Sequence, residues 1–107
     1  MVVYELKAWD FKPFINNETL TLVQFNDDRS EECRNFSRTL EDLSRNFAHK
    51  VTVGKIDNNP MNRMILDHYG IKTFPAFIFF RNGRIVNKVM GADRNELLGL
   101  IHMHGRD

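Results

Sequence analysis

The chain has 107 residues, 42% of them hydrophobic and nine of them Phe, which is enough for one domain with a full core and leaves no room for a second. Charged residues make up 27% and nearly cancel at net +1, so no global field draws the chain to nucleic acid or to an anionic membrane. The longest apolar runs, such as Phe77-Ile78-Phe79-Phe80, are far too short to span a bilayer, and a lone cysteine excludes an internal disulfide.

In chain order, the opening Met1-Val2-Val3-Tyr4-Glu5 has neither a basic n-region nor a long apolar stretch, so no secretory leader is expected and a cytoplasmic location is the default. Val2 to Leu6 predicts a short strand. Asp10 is placed to cap a short helix through Phe14 and Ile15 that stops near Asn16-Asn17. Thr19 to Phe25 alternates and then turns apolar, as a buried strand does. Beyond the polar break at Asn26 to Arg29, the residues Cys33, Phe36, Leu40, Leu43 and Phe47 are spaced to keep one helical stripe toward a core. Ser30 suits the cap of that helix, and Glu31 and Glu32 suit the positive end of its dipole.

Val51 to Asp57 predicts a second buried strand. Asn59-Pro60 opens a helix, with a capping side chain followed by proline at the first helical position. That helix is expected to reach Tyr69 and to end at Gly70 in the left-handed conformation. Ala76 to Phe80 is a strongly apolar strand, and Asn82-Gly83 predicts a tight hairpin into Ile85-Val86. Asp93-x-x-Glu96 is a capping box opening a last helix with Leu97, Leu98, Leu100 and Ile101. The order β-α-β-α-β-α-β-β-α implies an α/β sheet covered by helices on both faces, parallel early in the chain and antiparallel at its end. By itself that order fits more than one α/β fold.

Three segments narrow the choice. Leu22-Val23-Gln24-Phe25 is followed by a strand-to-helix turn ending in Ser30-x-x-Cys33. Gly70-Ile71-Lys72-Thr73-Phe74-Pro75-Ala76 leads into Phe77-Ile78-Phe79-Phe80-Arg81-Asn82-Gly83. Val89-x-Gly91-Ala92 leads into the last helix. From Leu20 to about Ile101 these segments, at these spacings, resemble the thioredoxin family. The resemblance implies a single thioredoxin-like domain over 1–107, with a central mixed sheet of three parallel strands plus a C-terminal antiparallel hairpin, flanked by helices on both faces. It also implies a cis bond at Phe74-Pro75 and a groove beside it in which backbone pairs with an extended substrate peptide.

The family mechanism uses two thiols: one attacks a substrate disulfide and the other resolves the mixed disulfide. Here the matching positions are Ser30 and Cys33, and the family's Trp-Cys-Gly-Pro-Cys reads Arg29-Ser30-Glu31-Glu32-Cys33. The family's buried Asp corresponds to Gln24, which does not titrate, and its helix-bending proline to Arg38, whereas its Lys is kept as Lys55. Cys33 reads either as a small buried hydrophobe on a helix stripe or as a lone reactive thiol. A catalytic role for Ser30 lacks a base, because His49, His68, His102 and His104 fall outside the active-site segments. No metal site is expected, since one Cys and a His102-x-His104 spacing do not form a ligand set.

The leading expectation is a binding or adaptor module with no cofactor. Its partner is a protein or extended peptide, with a basic or cysteine-containing segment, engaged through Arg29, Glu31, Glu32, Phe74 and Pro75. The alternatives are monothiol exchange through Cys33, and an ordinary dithiol reductase if Ser30 replaces a natural cysteine.

Overall fold

The computed structural model describes residues 3–105. Five strands form one mixed sheet: β1 (Val3–Leu6), β2 (Leu20–Asn26), β3 (Val51–Asp57), β4 (Ala76–Arg81) and β5 (Arg84–Met90), in the order β1-β3-β2-β4-β5. β1, β3 and β2 run parallel, and β4 and β5 antiparallel, with Leu22 opposite both Val53 and Phe79. Four helices cover the sheet: α1 (Phe11–Ile15), α2 (Glu31–Asn46), α3 (Arg63–His68) and α4 (Arg94–His104). The expected strand at Val2 to Leu6 is present from Val3, and Val2 lies outside the described residues.

The period-two alternation of β2 and β4 sorts the core into two layers. Leu20, Leu22, Phe77 and Phe79 face α2 and α4, where they meet Phe36, Leu40, Leu43, Leu97 and Ile101. Val23, Phe25, Ile78 and Phe80 face α1 and α3, where they meet Phe11, Ile15 and Leu66. Both central strands are buried on both faces, which is why they read as nearly continuous apolar runs. Phe47, the last member of the predicted α2 stripe, is partly buried against the first layer.

Local chemistry sets the boundaries. The cap expected at Asp10 takes another form: a 3-10 turn at Ala8–Asp10 precedes α1, and Asp10 Oδ2 accepts the Lys7 N–H at 2.9 Å instead of capping α1 itself. The helix expected from Asn59-Pro60 begins as a 3-10 turn, Pro60–Asn62, with Asn59 Oδ1 accepting the Asn62 N–H at 3.1 Å. It ends at His68 with Tyr69 as its C-cap, and Gly70 at φ 66° lets the Gly70 and Ile71 N–H groups reach the carbonyls of Asp67 and Leu66. That pair of bonds is a Schellman motif. In the hairpin, Asn82 and Gly83 adopt φ values of 54° and 78°, as a type I′ turn requires. Their N–H groups bond back to the carbonyls of Asn17, in the α1–β2 connection, and Ile15, the last residue of α1.

Candidate functional site

Three chain segments meet at one end of the sheet: the start of α2, the turn before β4, and the end of β5. Ser30 stands at the head of α2 in an extended conformation, and its Oγ accepts the Cys33 N–H at 3.3 Å. The same hydroxyl points to the Phe74 carbonyl at 3.4 Å, a weak contact beyond the roughly 2.5–3.0 Å usual for O–H donors. The Phe74–Pro75 peptide bond is cis, and the Gly91 N–H donates to the Pro75 carbonyl at 3.0 Å. Ser30, Phe74 and Pro75 are thus brought together, tied to the end of β5 through Gly91.

Their side chains are disposed unequally. Pro75 is buried, and Phe74 is partly buried, packed against the α1–α3 layer, so its carbonyl is the group bonded at the site. Cys33 is only 1% exposed and free, on the face of α2 turned to the sheet. Ser30 shields a helix start where unpaired N–H groups gather, but no imidazole bonds to it among the described residues. His68 packs on Tyr69 and His102 on Phe47. Likewise no group of three or more His, Cys, Asp or Glu able to hold a metal occurs among the described residues.

A polar network occupies the ends of β2 and β3. Gln24 is buried, and its Nε2 donates to Asn26 Oδ1 at 3.0 Å, while its Oε1 has no partner among the described residues. Asn26 Nδ2 donates to Asp57 Oδ1 at 2.8 Å and to Asp28 Oδ1 at 3.0 Å. Asn62 Nδ2 donates to the Asp57 carbonyl at 2.9 Å. Lys55, opposite Gln24 in the register, instead pairs with Glu5 of β1 at 3.5 Å. Asn26 on β2 meets Asp57 only across 31 positions, and Asn58, beside Asp57 in a loop, signals a turn rather than a network, so neither is found by a sequence reading.

Among the acidic residues at this rim, Asp27 is bound by the fork of Arg29, whose Nε and Nη2 donate at 2.9 and 2.7 Å. Those bonds, then one from Asn58 and one from the Arg29 backbone, hold the Asp27 carboxyl well below the usual carboxylate range. The guanidinium of Arg29 is correspondingly pushed up, chiefly by its bond to Asp27. Arg34 Nη1 donates to the Asp28 carbonyl at 2.7 Å. Glu31 and Glu32 are exposed and enter no ion pair among the described residues, so they are the open negative charge at the head of α2.

Strand order, paired layers and the cis turn facing the head of α2 define a thioredoxin fold. The family model described as Thioredoxin matches residues 2–102, and the chain belongs to the thioredoxin family. It is 31% identical over 91 residues to a thioredoxin of Griffithsia pacifica, covering 84% of this chain and 83% of that one. Thioredoxin f from spinach chloroplast, in its short form, superposes with a TM-score of 0.91 at 22% identity, covering 96% of this chain and 93% of that one. A structure described as a complex of ferredoxin:thioredoxin reductase with thioredoxin f2 also matches, with a TM-score of 0.89 at 20% identity, covering 95% of this chain and 94% of that one.

Proposed function

We propose that this chain binds an extended segment of another protein at the edge formed by Ser30, Phe74 and Pro75, and does not run a two-thiol exchange cycle. One observation carries the reading: the first position of the motif is a serine, and the chain's single thiol is buried one helical turn further in. Exchange requires a thiolate to attack a disulfide sulfur and a second thiolate to release the mixed disulfide. A serine hydroxyl does neither, and Cys33 at 1% exposure has little access to a substrate sulfur. What remains is shape. The Phe74 N–H enters no hydrogen bond among the described residues, so it is the backbone donor left open to an added strand, beside a Phe74 carbonyl held only by the long Ser30 contact. Glu31 and Glu32 favour a basic segment beside it, and charge at such a rim acts mainly on encounter rate and specificity. A protein partner is in keeping with the thioredoxin f2 whose structure was solved with its reductase.

The second reading, exchange through a lone thiol, rests on Cys33 being the chain's single cysteine and on its place in the first turn of α2, directly behind Ser30. An insulin reduction assay with dithiothreitol, run on the chain and on Ser30→Cys, separates the two. The binding reading expects no activity above background in the chain and activity in Ser30→Cys. It also expects Cys33 to resist thiol reagents until denaturant is added. Activity and labelling in the unaltered folded chain would overturn it in favour of monothiol exchange. The natural codon at position 30 decides whether the dithiol form is the native one.

A further inference from the structure

A groove of about 250 Å³ opens beyond the carboxyl ends of β1 and β3, one strand over from the β2 that leads into α2. Open α/β sheets hold ligands in crevices outside the carboxyl ends of their strands. The turn after β1 lines the groove with Trp9, and the turn after β3 with Met61 and Asn62. Trp9 is 70% exposed, so its indole is open to a ligand. Asn62 is only 4% exposed. It spends its N–H on Asn59 Oδ1 and its Nδ2 on the Asp57 carbonyl, which leaves its Oδ1 without a partner among the described residues. A buried acceptor left so is costly until a donor reaches it.

Two carboxylates, Glu5 and Asp57, line the same groove. Asp57 enters no ion pair among the described residues. The neutral amide of Asn26 donates to its Oδ1, which leaves its charge in place and its Oδ2 open. Glu5 pairs loosely with Lys55, at 3.5 Å, and its side chain is 63% exposed. Asp10, whose Oδ2 accepts the Lys7 N–H, adds a third carboxylate beside the groove. Against these three stand two ammonium groups, those of Lys55 and of Lys7, which also lines the groove. The geometry points to a pocket for an arginine side chain of a partner protein. Its stem lies along Met61, its guanidinium covers the Trp9 ring, and its N–H fork meets Asp57 and Asn62. Lysine is a poorer occupant, because an ammonium lacks the flat fork that stacks on an indole while bonding to two acceptors. A metal ion is poorer still, since indole and thioether walls give a hard cation no ligand.

Trp9 is the chain's single tryptophan, so its fluorescence reports on this groove directly. The probe is an N-acetylated, C-amidated Gly-Arg-Gly peptide, compared at matched ionic strength with the same peptide carrying citrulline, which keeps the shape and removes the charge. The arginine peptide is expected to change Trp9 emission saturably, and the citrulline peptide to bind at least ~10-fold more weakly. Asp57→Asn should cost a similar factor at unchanged volume. Because Asp57 also holds Asn26, Glu5→Gln provides a second variant on an exposed side chain. It should weaken binding with the circular dichroism of the parent. Lys7→Gln, which removes the opposing charge, should tighten binding. No saturable change, equal binding of the two peptides, or unreduced binding by either carboxylate variant in its folded form would overturn the inference. Binding by Lys7→Gln but not by the parent would also overturn it, by showing that Lys7 itself fills the groove.

Discussion

Ser30 and Asp27 show how single side chains have organised the head of α2. Ser30 satisfies one of the helix's unpaired N–H groups and reaches the Phe74 carbonyl, a double duty suited to a short hydroxyl side chain. Asp27, three residues before the helix cap, is held by Arg29 and Asn58. Its carboxyl is depressed in the folded state, so its contribution to stability is complete above the ordinary carboxylate range and is lost as pH falls through that range toward the lower folded value. In Arg29→Ala the Asp27 carboxyl should titrate nearer its ordinary range, though still below it because Asn58 continues to donate. Carbon-detected NMR of the side-chain carboxyls reads this directly. High salt should shrink the difference between the two forms, since Arg29 is 81% exposed.

At the scale of elements, the packing of α1 on the sheet depends on a missing side chain. A Cβ on Gly54, in the middle of β3, would stand 2.6 Å from Phe14 Cε2 and 3.0 Å from Leu6 Cδ1. The ring of Phe14 lies over Gly54 and meets Tyr4 edge-on at 5.7 Å. Gly54→Ala should therefore destabilise the fold by about 1–3 kcal/mol, by displacing Phe14 and with it the short α1. Denaturant titration measures the loss, and Gly54→Ala combined with Phe14→Leu should recover part of it by making room. A value near zero would mean that Phe14 swings aside at no cost.

Across the whole molecule, stability should concentrate where the two core layers share strands. β2 and β4 are buried on both faces and paired on both edges, whereas β1 and β5 are the sheet's outer strands and β5 is mostly exposed. Amide exchange should be slowest in β2, β3 and β4 and faster in β1 and β5, as local opening costs less at an edge. Uniform protection across all five strands would contradict this layering.

Most of the fold was legible in the residues because its signals are local. The α2 stripe from Cys33 to Leu43, the Asn82-Gly83 turn and the Asp93 cap follow from periodicity, left-handed tolerance and side-chain reach over a few residues. The resemblance supplied what periodicity could not, namely which end of the sheet to inspect and that Ser30 faces Pro75. Other features were set by contacts distant in sequence. Asn26 finds Asp57 across 31 positions and Ser30 finds Phe74 across 44. Phe74 and Trp9 illustrate the limit, since both are aromatics in loops and one is partly buried while the other is open. The sequence alone determined the order of strands and helices, the caps, and the serine at the motif's first position. Which side chains meet at the site, and which apolar ones stay uncovered, was decided only when the sheet brought distant segments together, because burial belongs to the packed chain and not to any one residue in it.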